Sequence, residues 1–208
     1  MIKKDTQGVT FAKGFTAAGV KAGIKKSGNL DVAVIYTKTQ AVVAGTFTQN
    51  KVAAAPVYVS KEVVATGTAH AIVANAGCAN ACTGQQGLDD AHKMAQIAAD
   101  ELGVNADDVI VGSTGVIGVN LPMDKLEAGI KDAVANLSAD GSGNAGRAII
   151  TTDTHSKSVT CEFELSGKTV RMGAIAKGSG MIRPNMATML CYITTDIAID
   201  QALLQKAV

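Results

Sequence analysis

The sequence predicts a compact α/β chain packed in layers. Large rings are scarce. There is no Trp, with four Phe and three Tyr, while Gly supplies 22 residues and Ala is abundant. The core must therefore be filled by Val, Ile, Leu, Met and Ala, whose small size lets elements approach closely. Short apolar runs of strand length recur, and several end in a cluster of Gly, Thr, Ser or Asn. Two stretches with helical periodicity lie among them.

The first thirty residues are punctuated by Gly8, Gly14, Gly19, Gly23 and Gly28 between weak apolar stretches, and no element is assigned there. Residues 32–37 and 41–48 read as two strands separated by Lys38-Thr39-Gln40, which predicts a hairpin. Residues 56–60 form a third, short candidate strand. Residues 71–75 suit a buried strand that runs into the small polar loop Asn75-Ala76-Gly77-Cys78-Ala79-Asn80-Ala81-Cys82-Thr83-Gly84. Leu88, Ala91, Met94, Ala95, Ala98 and Leu102 mark a helix with Asp89 and Asp90 in its first turn and Gly103 as its stop. Residues 109–112 form a buried strand ending in Ser113-Thr114-Gly115. Leu126, Ile130, Ala133, Val134 and Leu137 mark a second helix, with Pro122 near its start. Residues 148–150 read as another strand, ending in Thr151-Thr152-Asp153-Thr154. Residues 159–165 and 168–176 alternate around Ser166-Gly167 as a hairpin. Residues 186–195 are strand-like, and residues 201–208 read as a helix cut off in mid-course, so the chain is expected to be part of a longer one.

The chain has 208 residues and a formal net charge of +1. It is long enough to bury a core without metals or disulfides. A charge this near zero argues against a dedicated nucleic-acid binder, which carries a basic face. No apolar run reaches bilayer length, and Lys3 and Lys4 are followed by no apolar segment of a signal peptide, so no membrane partner is expected. Four cysteines are too few for a disulfide scaffold and read as reduced thiols of a cytoplasmic protein. No metal site is expected: His70, His92 and His155 pair at no ligand spacing, and Cys78 and Cys82 are followed by no second pair. Lys177-Gly178-Ser179-Gly180 lacks the spacing of a phosphate-binding loop, and no G-x-S-x-G elbow occurs.

Four strand ends carry small polar clusters, at residues 75–77, 113–115, 151–154 and 177–180. Any one of them is ordinary turn chemistry. Together they can converge on one site that offers backbone N–H groups and short hydroxyl donors.

The stretch Ala176-Lys177-Gly178-Ser179-Gly180-Met181-Ile182-Arg183-Pro184-Asn185-Met186-Ala187-Thr188-Met189-Leu190 resembles the signature of the ornithine acetyltransferase (ArgJ) family of arginine biosynthesis. The segments A-G-T-F-T-Q-N-K-V-A-A-A-P at 44–56, N-A-G-C-A-N-A-C-T-G at 75–84, S-T-G-V-I-G at 113–118 and T-T-D-T at 151–154 agree in matching order. The resemblance implies an α/β sandwich of layered sheets with outer helices, of the self-processing N-terminal-nucleophile type (DmpA/ArgJ-like). It implies self-cleavage between Ala187 and Thr188. The products would be an α-chain domain over 1–187 and a β chain of which 188–208 is the start. Thr188 then matches the nucleophile, Thr114 and Gly115 the pair that stabilises the oxyanion, and Thr151, Lys177 and Thr188 substrate-binding positions. Without the resemblance, Thr188 would be a β-branched strand filler and Lys177 a solvated charge.

The implied reaction moves acetyl from N2-acetylornithine to glutamate through an acetyl ester on Thr188. It needs no cofactor, although many members also accept acetyl-CoA as a substrate. The expected assembly is an α/β heterotetramer completed by the C-terminal β chain. A free α-amine at Thr188, with an unperturbed pKa of roughly 7.7–8.0, can serve as the base that a Thr hydroxyl otherwise lacks. Two alternatives stay open. One is a self-processing amidohydrolase or aminopeptidase that passes the acyl group to water. The other is a non-catalytic α/β module.

Overall fold

The computed structural model describes residues 2–4, 7–178 and 189–208. In chain order these form β1 (Ile2–Lys4), β2 (Phe15–Val20), β3 (Val32–Val42), α1 (Ala55–Thr66), β4 (Thr68–Cys78), α2 (Gly84–Leu102), β5 (Val109–Val116), α3 (Met123–Ala135), α4 (Ser142–Ala148), β6 (Lys157–Leu165), β7 (Lys168–Lys177), β8 (Leu190–Thr195) and α5 (Gln201–Ala207). The strands make two four-stranded sheets, ordered β2-β3-β4-β5 and β1-β6-β7-β8. Among the described residues only the β4–β5 pairing is parallel. Its crossover is made by α2, as a parallel pair requires.

The layering follows from two-sided burial of the first sheet. Val32, Val34, Val73, Val109 and Val111 point to one face, into a cluster with Met94, Ala98, Leu126 and Ile130 of α2 and α3. Ala33, Ile35 and Ala74 alternate to the other face and meet Ala145, Ala148 and Ile149 at α4 and Ile175 of β7. A strand buried on both faces reads as a continuous apolar run rather than an alternating one, and residues 71–75 show that pattern. Small residues set the spacing between layers. A Cβ at Gly19 on β2 would overlap the backbone carbonyl of Asn144 in α4, so the helix rests directly on the strand.

Several expectations are corrected. Residues 32–48 are not a hairpin. Thr37–Gln40 contains no Gly, Asn or Asp to take the positive φ of a tight turn, and β3 continues through an irregularity between Tyr36 and Ala41, with β4 as its partner. Residues 56–60 are helical within α1: Pro56 sits in the first turn, where its missing N–H costs nothing. Ala55, Val59 and Val63 bury one face, and Gly67 at φ 86 ends the helix. Residues 148–150 are not a strand; Ala148 closes α4. Helix α2 begins at Gly84, so Asp89 and Asp90 lie beyond its first turn and accept from Gln85 and Gln86, each at 2.8 Å. Strands β1 and β2 lie in the Gly-punctuated region where none was assigned. The helix around Leu126 to Val134, the buried strand at 109–112, the hairpin about Ser166 (φ 50) and Gly167 (φ 72), and the terminal helix are where they were expected.

The outer side of β5 is closed by a side chain. Ser60 Oγ of α1 donates to the Val111 carbonyl at 2.6 Å and accepts from the Val111 N–H at 3.0 Å. Ser60→Ala leaves both groups buried without partners and should lower the unfolding free energy by about 1–3 kcal/mol. An unchanged denaturation midpoint would refute this role for Ser60.

Candidate active site

Three chain segments end side by side in a groove between the sheets. Strand β7 sends Gly173, Ile175 and Lys177 toward the first sheet, and Lys177 at its end is 2% exposed. Strand β5 sends Gly112 and Thr114 the opposite way. The segment after α4 supplies Thr151. Lys177 Nζ donates to Thr114 Oγ1 at 3.0 Å and to Thr151 Oγ1 at 2.9 Å. An ammonium has three donors and no acceptor. Both hydroxyl oxygens therefore accept, which leaves their own protons to donate elsewhere.

A second group of charges supports the ammonium. Asp153 Oδ1 accepts from Lys157 Nζ and, at 2.9 Å, from the Gly178 N–H. Burial pushes the Asp153 carboxyl up. The hydrogen bonds from Lys157 and Gly178, with the charges of Lys157 and Lys177, outweigh it and hold the group below the usual carboxylate range. Burial pushes the Lys177 ammonium below the ordinary lysine value. The charge of Asp153 opposes that shift and the charge of Lys157 adds to it.

Gly115 follows Thr114 at φ 138, and a Cβ there would overlap the carbonyl carbon of Gly77. Only glycine lets the two backbones approach this closely. Gly77, Thr114, Gly115, Thr151 and Lys177 all line the groove, whose volume is about 2430 Å³. Parts of all four small polar clusters are thus brought to one place. Ala187 and Thr188 lie outside the described residues. Met189, the next described residue, lines the same groove, and Leu190 pairs with Lys177.

Of the other residues weighed from the sequence, His70 and Cys78 also line the groove. His70 Nδ1 lies 3.0 Å from the Thr37 carbonyl, His92 faces Glu62 at 4.0 Å, and His155 contacts Thr154. Cys78 is buried, with its thiol pushed up by burial, while Cys82 is exposed. No group of three or more His, Cys, Asp or Glu side chains able to hold a metal occurs among the described residues. No helix among them is long and apolar enough to cross a membrane.

Sequence reasoning assigned nothing to Asp153 beyond its place in a motif, and nothing to Tyr192. The Tyr192 hydroxyl reaches across from β8 to Gly112, where a Cβ would collide with it. It is buried with no hydrogen-bond partner among the described residues, and burial pushes the phenol well above its ordinary value. A Gly on one strand facing a ring from another sheet leaves no periodic signal in either segment.

The architecture places the chain in a broad structural class. The L-aminopeptidase D-Ala-esterase/amidase of Ochrobactrum anthropi, described as a variant of the Ntn hydrolase fold, superposes with a TM-score of 0.55 at 13% identity, over 98% of this chain and 66% of that one. Within that class, residues 16–208 match the ArgJ family, and the chain belongs to it. It is 51% identical over 202 residues to the arginine biosynthesis bifunctional protein ArgJ of Symbiobacterium thermophilum, covering 96% of this chain and 50% of that protein. The crystal structure of ArgJ from Bacillus halodurans has a TM-score of 0.83 at 42% identity, over 90% of this chain and 98% of that one. Ornithine acetyltransferase of Mycobacterium tuberculosis, solved with ornithine, has the same TM-score and identity over 88% and 98%. The chain spans about half the length of the curated relatives it matches.

The low pKa of Asp153 fixes a pH dependence. A carboxylate whose folded pKa is depressed adds stability above its unfolded pKa and loses it as the pH falls through the folded value. Asp153→Asn should therefore be less stable than the parent at neutral pH. The gap should close on acidification below the usual carboxylate range. A gap that is the same at both ends of the titration would show that the charge of Asp153 is not what stabilises the site.

Proposed function

We propose that this chain carries the acetyl-transfer site of a glutamate N-acetyltransferase, which moves acetyl from N2-acetylornithine to glutamate. The observation that supports this reading best is the buried Lys177 ammonium, which draws Thr114 and Thr151 together beside Gly115. These are the positions that the family resemblance assigns to oxyanion and substrate. The relatives' names add support, as does the ornithine held by the Mycobacterium tuberculosis enzyme.

The chemistry begins with the chain itself. The Thr188 hydroxyl attacks the Ala187 carbonyl, the peptide bond shifts to an ester, and water cleaves the ester. A carboxylate on Ala187 and a free α-amine on Thr188 result. The division into 1–187 and 188–208 is then a break in the covalent chain, whereas β8 remains paired with β7. Two solved relatives support it: their chains are matched to 98% by a sequence that spans only half of the curated proteins.

In the transfer, the Thr188 amine takes the hydroxyl proton as Oγ attacks the acetyl carbonyl, then delivers that proton to the departing amine of ornithine. Glutamate reverses the step: its amine attacks the ester, N-acetylglutamate leaves and the hydroxyl is restored. Each tetrahedral intermediate carries an oxyanion. The Thr114 proton, which Lys177 leaves free to donate, and the Gly115 N–H receive it. The remaining Lys177 proton binds a substrate carboxylate.

No bound cofactor is needed. Acetyl-CoA serves as a second acetyl donor, a reading that suits relatives named bifunctional. The groove of about 2430 Å³ far exceeds the roughly 300–1,000 Å³ of an ordinary small-molecule site. The C-terminal β chain occupies the excess and completes an α/β heterotetramer.

Mass spectrometry of the full-length protein incubated with N2-acetylornithine tests the reading. Acetyl should appear on a peptide beginning at Thr188 and pass to added glutamate. Release to water alone would favour an amidohydrolase, and no adduct would favour a non-catalytic module. Thr188→Ala should give one uncut chain.

Thr114→Ala removes one of two oxyanion donors. It should slow acetyl transfer by roughly a hundredfold while leaving KM nearly unchanged. A raised KM with an unchanged chemical rate would instead place Thr114 in substrate holding.

A further inference from the structure

The loop between β2 and β3 contains an acid and a base that the proposed chemistry does not use. Asp31 is wholly buried. Its carboxylate accepts from the N–H groups of Ala22 (2.6 Å), Ile24 (2.6 Å) and Lys25 (2.9 Å). Its own backbone is fixed as well, since Asp31 N–H donates to Val20 and its carbonyl accepts from Ala76 N–H, both at 2.8 Å. Four bonds thus tie this loop to one carboxylate and to the strand leading to Gly77.

Lys25 lines the groove that holds Lys177, which makes it look like a second substrate-binding cation. Its geometry says otherwise. Nζ donates to the carbonyls of Leu30 (2.5 Å), Ala148 (3.2 Å) and Arg147 (3.5 Å). Three protons meet three acceptors, so none is left for a ligand. Two of those acceptors are at the C-terminal end of α4, where free carbonyls attract a cation. Three residues on is Thr151, whose side chain joins Lys177 and which is otherwise exposed.

The other end of the loop reaches Gly115. A Cβ at Gly77 would lie 3.0 Å from Ile24 Cγ2 and 3.2 Å from the Ile24 carbonyl. Gly77 in turn packs backbone to backbone on Gly115. Ile24, Gly77 and Gly115 therefore form a stack without a side chain between the two glycines.

We infer that Asp31 and Lys25 form a positioning brace for both walls of the site. Asp31 sets the Gly115 wall through Ile24 and Gly77, and Lys25 sets the Thr151 wall through the end of α4. Neither residue touches substrate. The inference deepens the acetyl-transfer reading and rests on it for the roles of the two walls.

The two arms predict opposite kinetic signatures in the full-length enzyme. Lys25→Met should raise KM for N2-acetylornithine roughly tenfold with little change in kcat, and Lys25→Arg should restore it. Asp31→Asn should lower kcat roughly tenfold with KM kept. Ile24→Ala tests the same arm should the Asp31 variant fail to fold. Amide hydrogen exchange gives a readout independent of activity. Lys25→Met should speed exchange in 149–153, and Asp31→Asn or Ile24→Ala in 22–25 and 113–116, with the 157–177 hairpin unchanged in each. Equal losses of kcat and uniform loosening in all variants would mean general destabilisation and overturn the brace. So would normal kinetics with unchanged exchange. A parent enzyme that transfers no acetyl while the exchange pattern holds would defeat the acetyl-transfer reading and leave the brace standing.

Discussion

A single cation buried between two sheets organises this molecule. Moving an ammonium out of water is costly unless it finds compensating polar groups. Lys177 finds two hydroxyls from two other elements, and the carboxylate of Asp153 at one remove. Asp153 is held in turn by Lys157 and by the N–H of the residue after Lys177. The charge can therefore be buried only when β5, β7 and the segment after α4 are all in place. The demands of solvation have assembled a cluster that a reaction can use.

The two walls of that cluster differ in kind. On one side, hydroxyls hang from the ammonium, and their directions follow from its lack of an acceptor. On the other, Gly77 and Gly115 lie so close that a methyl group would not fit. A wall made of backbone has no rotamers to sample, so a donor there is aimed before any ligand arrives. Preorganised donors of this sort contribute most where charge develops during reaction.

Much of this was readable in the sequence, for specific reasons. Residues 109–112 and the Ser166–Gly167 turn have strong local signatures, and the clusters at strand ends pointed to a convergent site. The hairpin at 32–48 failed because two apolar runs resemble paired strands even where the residues between them cannot turn. Residues 56–60 carry Val and Tyr, which favour strands, yet burial of Ala55, Val59 and Val63 at helical spacing prevails. Lys25 and Asp31 were invisible. Their effect depends on which carbonyls and amides surround them, and Lys25 meets Ala148 across 123 positions of chain. Lys177 showed the reverse problem: a charged residue at the end of a strand looks solvated until the facing sheet is known.

The topology also dictates an order of assembly. The first sheet draws only on residues 15–116 and can form while the rest of the chain is still being made. The second joins β1, at the start of the chain, to β6, and is widened by β8 after residue 189. Such distant pairings carry the larger entropic cost of closure and come late. Lys177 meets Thr114 only at that stage. A newly made chain therefore gathers its buried ammonium and the two hydroxyls around it only after strands far apart in sequence have paired, so the cluster is itself a mark of a molecule that has folded.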